Sequence, residues 1–124
     1  MSKSNKWQLL ARAIHESVVK RWQPWTVEDR NFLMVALAGE VGEVANIVKK
    51  DIRGDFGPDK KQIGYLRAQL ADELADSQVY LYLLAEACGV NLDRAVQVKL
   101  DHLMLTRYAD YRSQVDQFLA EHQP

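Results

Sequence analysis

Two short acidic words constrain this 124-residue chain more than any other feature in it. The first is Glu40-Val41-Gly42-Glu43, inside residues 37–46. The second is Glu73-Leu74-Ala75-Asp76, inside residues 70–81. Residues three apart on an α-helix share a face, one turn above the other. If helical, each word therefore points two carboxylates the same way out of otherwise apolar sequence. Like charges held that close raise one another's pKa or hold a cation. An all-oxygen cluster suits Mg²⁺ or Mn²⁺ rather than zinc. One Glu-x-x-Glu alone is most often a helix-surface feature. Two such words, on consecutive apolar segments of helical length, point instead to a metal site.

The apolar spacing predicts helices along the whole chain. Residues 1–5 read as a polar tail. Trp7, Leu10, Ala11, Ile14, Val18 and Trp22 recur at helical intervals and predict an amphipathic helix over 6–22, with His15 and Glu16 on or near its polar side, where His15 is more often solvated than in contact with a ligand. Pro24 breaks it, and Thr26 with Asp29 reads as a new helix start. Trp22 and Trp25 straddle the break. They either pack the corner or offer a flat face to a nucleobase.

A second helix is predicted over 27–52, with a stripe of Phe32, Val35 or Ala36, Leu37, Val41, Val44, Ile47 and Val48. Gly39 and Gly42 each cost such a helix about 1 kcal/mol against alanine, which predicts close approach by a neighbour or ligand. Lys49 and Lys50 suit the negative end of this helix, and one of them could reach a phosphate. Residues 53–59 form a turn-rich loop, whose Arg53-Gly54-Asp55 tripeptide carries almost no weight.

A third helix spans about 59–88, with Tyr65, Leu66, Leu70, Leu74, Leu81 and Leu84 inward and Gly89 as its stop. Tyr80, one turn beyond Asp76, either packs in the core or touches a sugar or base. Asn91 caps a fourth helix in which Lys99, Asp101, His102 and Arg107 interleave with apolar residues. The segment 108–123 continues it or forms a short fifth helix. Leu103, Met104, Leu105, Tyr108 and Tyr111 are more apolar than a lone surface helix needs, which points to a subunit interface. No strand alternation bounded by hairpin turns occurs. The expectation is one all-α domain over 1–124, resembling a four-helix bundle.

Composition narrows the function. A net charge of -1 argues against binding a nucleic-acid polymer or a membrane surface. The longest apolar run, 32–38, falls far short of a membrane span. The single cysteine, Cys88, fits a reducing compartment, and with no signal-type apolar segment the expected location is cytoplasmic. The chain has no Gly-x-x-x-x-Gly-Lys loop and no Glu-x-x-His pair, which sets aside P-loop and ferritin-like dimetal chemistry. What remains is a carboxylate cage in a helical bundle. With a divalent cation it can neutralise a polyphosphate, polarise phosphorus and acidify a water.

Glu40-x-x-Glu43 followed by Glu73-x-x-Asp76 resembles the signature of the MazG-type, all-α nucleoside triphosphate pyrophosphohydrolases. The resemblance extends to the residues flanking both words and to the stretch 89–96 followed by Lys99. It covers roughly residues 22–108, and Arg21-Trp22 with Arg30-Asn31 resembles the dCTP pyrophosphatase branch. The chain departs from the family in two places. The 29 residues from 44 to 72 make a slightly long gap between the words, and Leu103-Met104-Leu105-Thr106 replaces part of a basic pattern before Arg107-Tyr108.

The resemblance implies hydrolysis of a nucleoside triphosphate to the monophosphate and pyrophosphate with Mg²⁺, Mn²⁺ substituting, for nucleotide-pool control. It implies Glu40, Glu43, Glu73 and Asp76 as metal ligands, with Glu40 or Glu43 positioning the water. Lys49, Lys50, Lys99 and Arg107 would serve the phosphates. Trp22, Trp25, Tyr80 and Asp101 would serve the base or sugar. It also implies a homodimer or homotetramer. The alternatives are a pyrophosphohydrolase of another nucleotide such as phosphoribosyl-ATP, a non-catalytic metal- and nucleotide-binding sensor, and a purely structural bundle.

Overall fold

In a computed structural model, residues 4–20, 27–58 and 60–124 are described. The helices are α1 (Lys6–Val19), α2 (Val27–Ile52), α3 (Lys60–Ala87), α4 (Leu92–Leu105) and α5 (Arg112–Glu121), with a 3₁₀ turn at Ala109–Tyr111. No strand occurs among the described residues, so the all-α expectation holds. Two compact units divide the chain, Met1–Asn91 and Leu92–Pro124.

The first unit is built on a seam between α2 and α3. Among the buried and half-buried residues of α2 are Leu33, Leu37, Glu40, Val44 and Ile47. Among those of α3 are Leu66, Leu70, Glu73, Ser77, Tyr80, Leu84 and Ala87. Both series step by alternating fours and threes, the spacing that keeps one edge of a helix against its partner over many turns. Two glutamates thus occupy positions that a coiled seam normally gives to leucine. Their neighbour Ser77 is buried, and its hydroxyl donates to the Glu73 carbonyl at 2.9 Å, so that hydroxyl is satisfied within the helix.

Helix α1 packs on the C-terminal half of α3, where Ala11, Leu33, Leu83 and Ala87 form a core with Tyr80, Tyr82 and Leu84 around it. Ala11 and Ala87 let the two backbones approach. Asn5 caps α1, its side chain accepting from the Gln8 amide at 2.9 Å. The opposite end stops at Lys20, in the left-handed conformation, earlier than the expected end at 22. Residues 4 and 5 belong to the fold rather than to a polar tail: Ser4 donates to Glu86, and Asn5 is the cap.

Helix α3 ends as its glycine demands. Gly89 has φ +68°. The Val90 amide donates to the Ala85 carbonyl at 2.8 Å and the Gly89 amide to that of Glu86 at 3.2 Å. This paired closure satisfies carbonyls the helix leaves open.

Several residues expected inside lie outside in this chain taken alone. Phe32, Val35, Val41 and Val48 of α2 and Tyr65, Leu74 and Leu81 of α3 are exposed, Val35 at 72% and Tyr65 at 67%. Apolar residues surround α2 on every side, so periodicity alone does not select its buried edge. For the same reason Asp29–Ile52 is long and apolar enough to pass for a membrane span by composition. It nevertheless carries Glu40 and Glu43 at its centre and packs Leu33 and Ile47 into the protein. At Gly39 and Gly42 a Cβ would meet nothing within 4 Å beyond the helix's own backbone, so the close approach expected at these glycines is not made among the described residues. In the loop, Arg53 and Asp55 pair with each other at 2.6 Å.

The second unit contains α4, the 3₁₀ turn and α5, so the C-terminal segment is a separate helix. The Tyr108 amide donates to the Leu103 carbonyl at 2.9 Å where α4 ends. Tyr108 and Tyr111 meet edge-on across the turn, with ring centres 6.5 Å apart.

Candidate metal centre and groove

Helix pairing brings the two acidic words together at mid-seam. One carboxylate oxygen each of Glu40, Glu73 and Asp76 lies within 4.8 Å of the others. Glu40 and Glu73 stand in the seam itself, and Asp76 follows one turn along α3. Three oxygens at that spacing, with no nitrogen or sulfur donor among them, form a donor set for a small hard cation.

The metal-free electrostatics point the same way. Glu73 is pushed above the ordinary carboxylate pKa. Removal from water is the largest cause, followed by the Glu40 charge, a hydrogen bond with Glu40, and the charges of Asp76 and Glu43. A protonated Glu73 donates to Glu40 and so relieves part of the repulsion. A divalent cation would relieve it more completely, because it offsets several of these charges at once. Glu43 is exposed, acts on Glu73 through its charge, and stays outside the tight trio.

Beside the carboxylates opens a groove of about 670 Å³, walled by α1, α2 and α3. Glu40 and Asp76 are among its lining residues. Leu10, Ile14, His15, Phe32 and Tyr80 supply much of the rest. The His15 and Phe32 rings lie 6.4 Å apart at 39° to each other. His15 is therefore part of the groove wall and only partly exposed, not on a solvated face as its polarity predicted. Its sequence spacing contained the signal, since it falls four residues after Ala11 and eight after Trp7. Phe32 was expected in the core stripe but faces the groove. Tyr80 packs against the core cluster and also lines the groove.

The remaining expected site residues are placed as follows. Lys49 and Lys50 form the last turn of α2, with Lys50 partly buried. Lys99 and Asp101 are exposed on α4, and Arg107 is exposed just after it, all in the second unit. Trp22 and Trp25 lie outside the described residues, as do Pro24 and Thr26.

Sequence comparison agrees with the resemblance carried by the acidic words. The chain is 44% identical over 69 residues to dCTP pyrophosphatase 1 of Rattus norvegicus. It is 42% identical over 72 residues to dCTP pyrophosphatase 1 of Homo sapiens, and 41% over 69 residues to that of Bos taurus. Each match takes in 56% of this chain and 40% of the relative's own length. No protein-family model and no solved structure matches the chain.

Proposed function

We propose that this chain hydrolyses a nucleoside triphosphate to the monophosphate and pyrophosphate, with Mg²⁺ as its metal and Mn²⁺ as a substitute. The observation that carries this reading is the trio of carboxylates, two of which, Glu40 and Asp76, also line an apolar groove bearing aromatic rings. One part takes a cation and polyphosphate, and the other takes a flat base. The similarity to dCTP pyrophosphatase 1 makes dCTP the first substrate to test.

The layout of α2 gives the substrate a direction. At 1.5 Å rise per residue, Phe32 lies about 12 Å before Glu40, and Lys50 about 15 Å after it. A nucleotide with its base against Phe32, His15 and Tyr80 carries its phosphates across the carboxylates towards Lys49 and Lys50. Glu40, Glu73 and Asp76 hold the cation. When bound, the cation neutralises the polyphosphate, polarises the α-phosphorus and lowers the pKa of a nearby water. Glu43, one turn from Glu40 and outside the trio, orients that water and takes its proton. Water oxygen bonds to the α-phosphorus while the bond to the bridging oxygen breaks, and pyrophosphate leaves.

The functional protein is a homodimer or homotetramer in this reading. Support comes from large apolar side chains left in water by the chain alone, among them Val35 of the first unit and Leu105 and Phe118 of the second.

Pyrophosphate release from a panel of ribo- and deoxynucleoside triphosphates, with monophosphate identified as coproduct, tests the reaction. The expected result is turnover of one or a few nucleotides that requires Mg²⁺ or Mn²⁺, and its loss in Glu40→Gln with the helical fold retained. Mg²⁺-dependent binding without release from any nucleotide would make the chain a sensor instead.

A further inference from the structure

Among the described residues the side chain of Gln8 is fully buried, and it does not line the groove. Its Nε2 donates to the Val90 carbonyl at 2.8 Å and to Glu86 Oε2 at 3.3 Å, and its Oε1 accepts from Asn5 Nδ2 at 2.8 Å. Glu86, 7% exposed in its side chain, also accepts from Ser4 Oγ and pairs with Arg12 Nη1 at 3.3 Å. Val90 is the residue that closes the end of α3. The first two turns of α1 are thus tied to the last turn of α3 through a buried amide and a buried carboxylate.

Apolar contacts alone tolerate sliding and rotation of a helix. Directional bonds to buried groups do not, because a shift leaves donors or acceptors unpaired at a cost of about 1–3 kcal/mol each. The remainder of α1 runs from this knot over the groove, where Leu10, Ile14 and His15 face the space beside Tyr80 and Phe32. Rotation of α1 about its axis by one residue would move His15 off that wall by about 100°.

We infer that Gln8 and Glu86 are positioning residues: their knot fixes the register of α1 and so sets the width of the groove that receives the base. This rests on the nucleotide reading of the groove. It predicts that the knot governs affinity for the base-bearing end of the substrate and not the chemistry at phosphorus.

The test uses the full-length protein, with Gln8→Leu as the severe variant and Glu86→Gln as the mild one, which keeps an acceptor oxygen for Gln8. Both are expected to raise KM for the best nucleotide, by about tenfold for Gln8→Leu, with kcat within twofold of wild type. Inhibition by inorganic tripolyphosphate, which has no base, should be unchanged. Hydrogen exchange should quicken in residues 6–19 and stay slow along the α2–α3 seam. An unchanged KM in both variants would overturn the inference, as would tripolyphosphate affinity falling in step with nucleotide affinity or α1 exchange that does not change. Wild-type protein that turns over no nucleotide would refute the functional reading alone, and the exchange measurement would still decide whether the knot holds α1.

Discussion

At the scale of single residues, Glu73 ties stability to pH. Its carboxyl is raised above the ordinary value of 4.5, chiefly by loss of water and by Glu40. Between the unfolded and folded values, the folded metal-free protein binds more protons than the unfolded chain. The stability that this group contributes is therefore full below the unfolded value and is lost as pH rises through the folded one. Glu73→Gln does not titrate. In EDTA, thermal melts from pH 4 to 8 are expected to show wild type losing stability across this window relative to the variant. Saturating Mg²⁺ is expected to reverse their order, because only wild type offers the complete trio of charged carboxylates. Parallel melting curves at every pH would remove Glu73 from the strained cluster.

At the scale of elements, the seam explains which features were legible in the sequence. The bounds of α2 and α3 follow from turn residues and apolar length, and Gly89 marks the end of α3 because few other residues accept its conformation. The carboxylates were legible because charge inside apolar helical sequence has few bland explanations. The buried edge of α2 was less so, since Leu33 and Phe32, or Val44 and Val41, serve a hydrophobic stripe equally well until the partner helix is known. Gln8 was invisible for a different reason. A neutral amide near a helix start carries no sequence signal for burial, and its partners on α3 and just beyond it lie some 80 residues away. The α1–α3 contact depends on small residues. Ala87, 1% exposed, leaves no room for a larger side chain. Ala87→Leu is expected to destabilise the protein by about 1–3 kcal/mol through overpacking, read by urea unfolding. A neutral effect would show that α1 yields easily.

At the scale of the whole molecule, each unit keeps large side chains in water that a lone chain has no use for. Val35, Ile52 and Leu105 are each more than 70% exposed. Association covers such surface at a gain of about 25 cal/mol per Å² of apolar area. Light scattering coupled to gel filtration is expected to give twice or four times the chain mass. Leu105→Glu or Val35→Glu should lower that mass with helix content retained. A monomer at all concentrations would contradict the proposed assembly. Bound Mg²⁺ or Mn²⁺ should raise the melting temperature in proportion to the logarithm of its concentration above Kd, an effect that Asp76→Asn should weaken.

The two glutamates in leucine positions also set a conflict between kinds of selection. Glu73→Leu would remove the repulsion and extend the hydrophobic spine, so the chain would gain heat resistance and lose the cation proposed for the trio. A random library enriched only for surviving a heat step, with chelator present, should therefore fill with leucine, methionine or glutamine at positions 40 and 73 and contain few active members. The same library enriched for work on a nucleotide should retain acid at both positions and gain its robustness elsewhere.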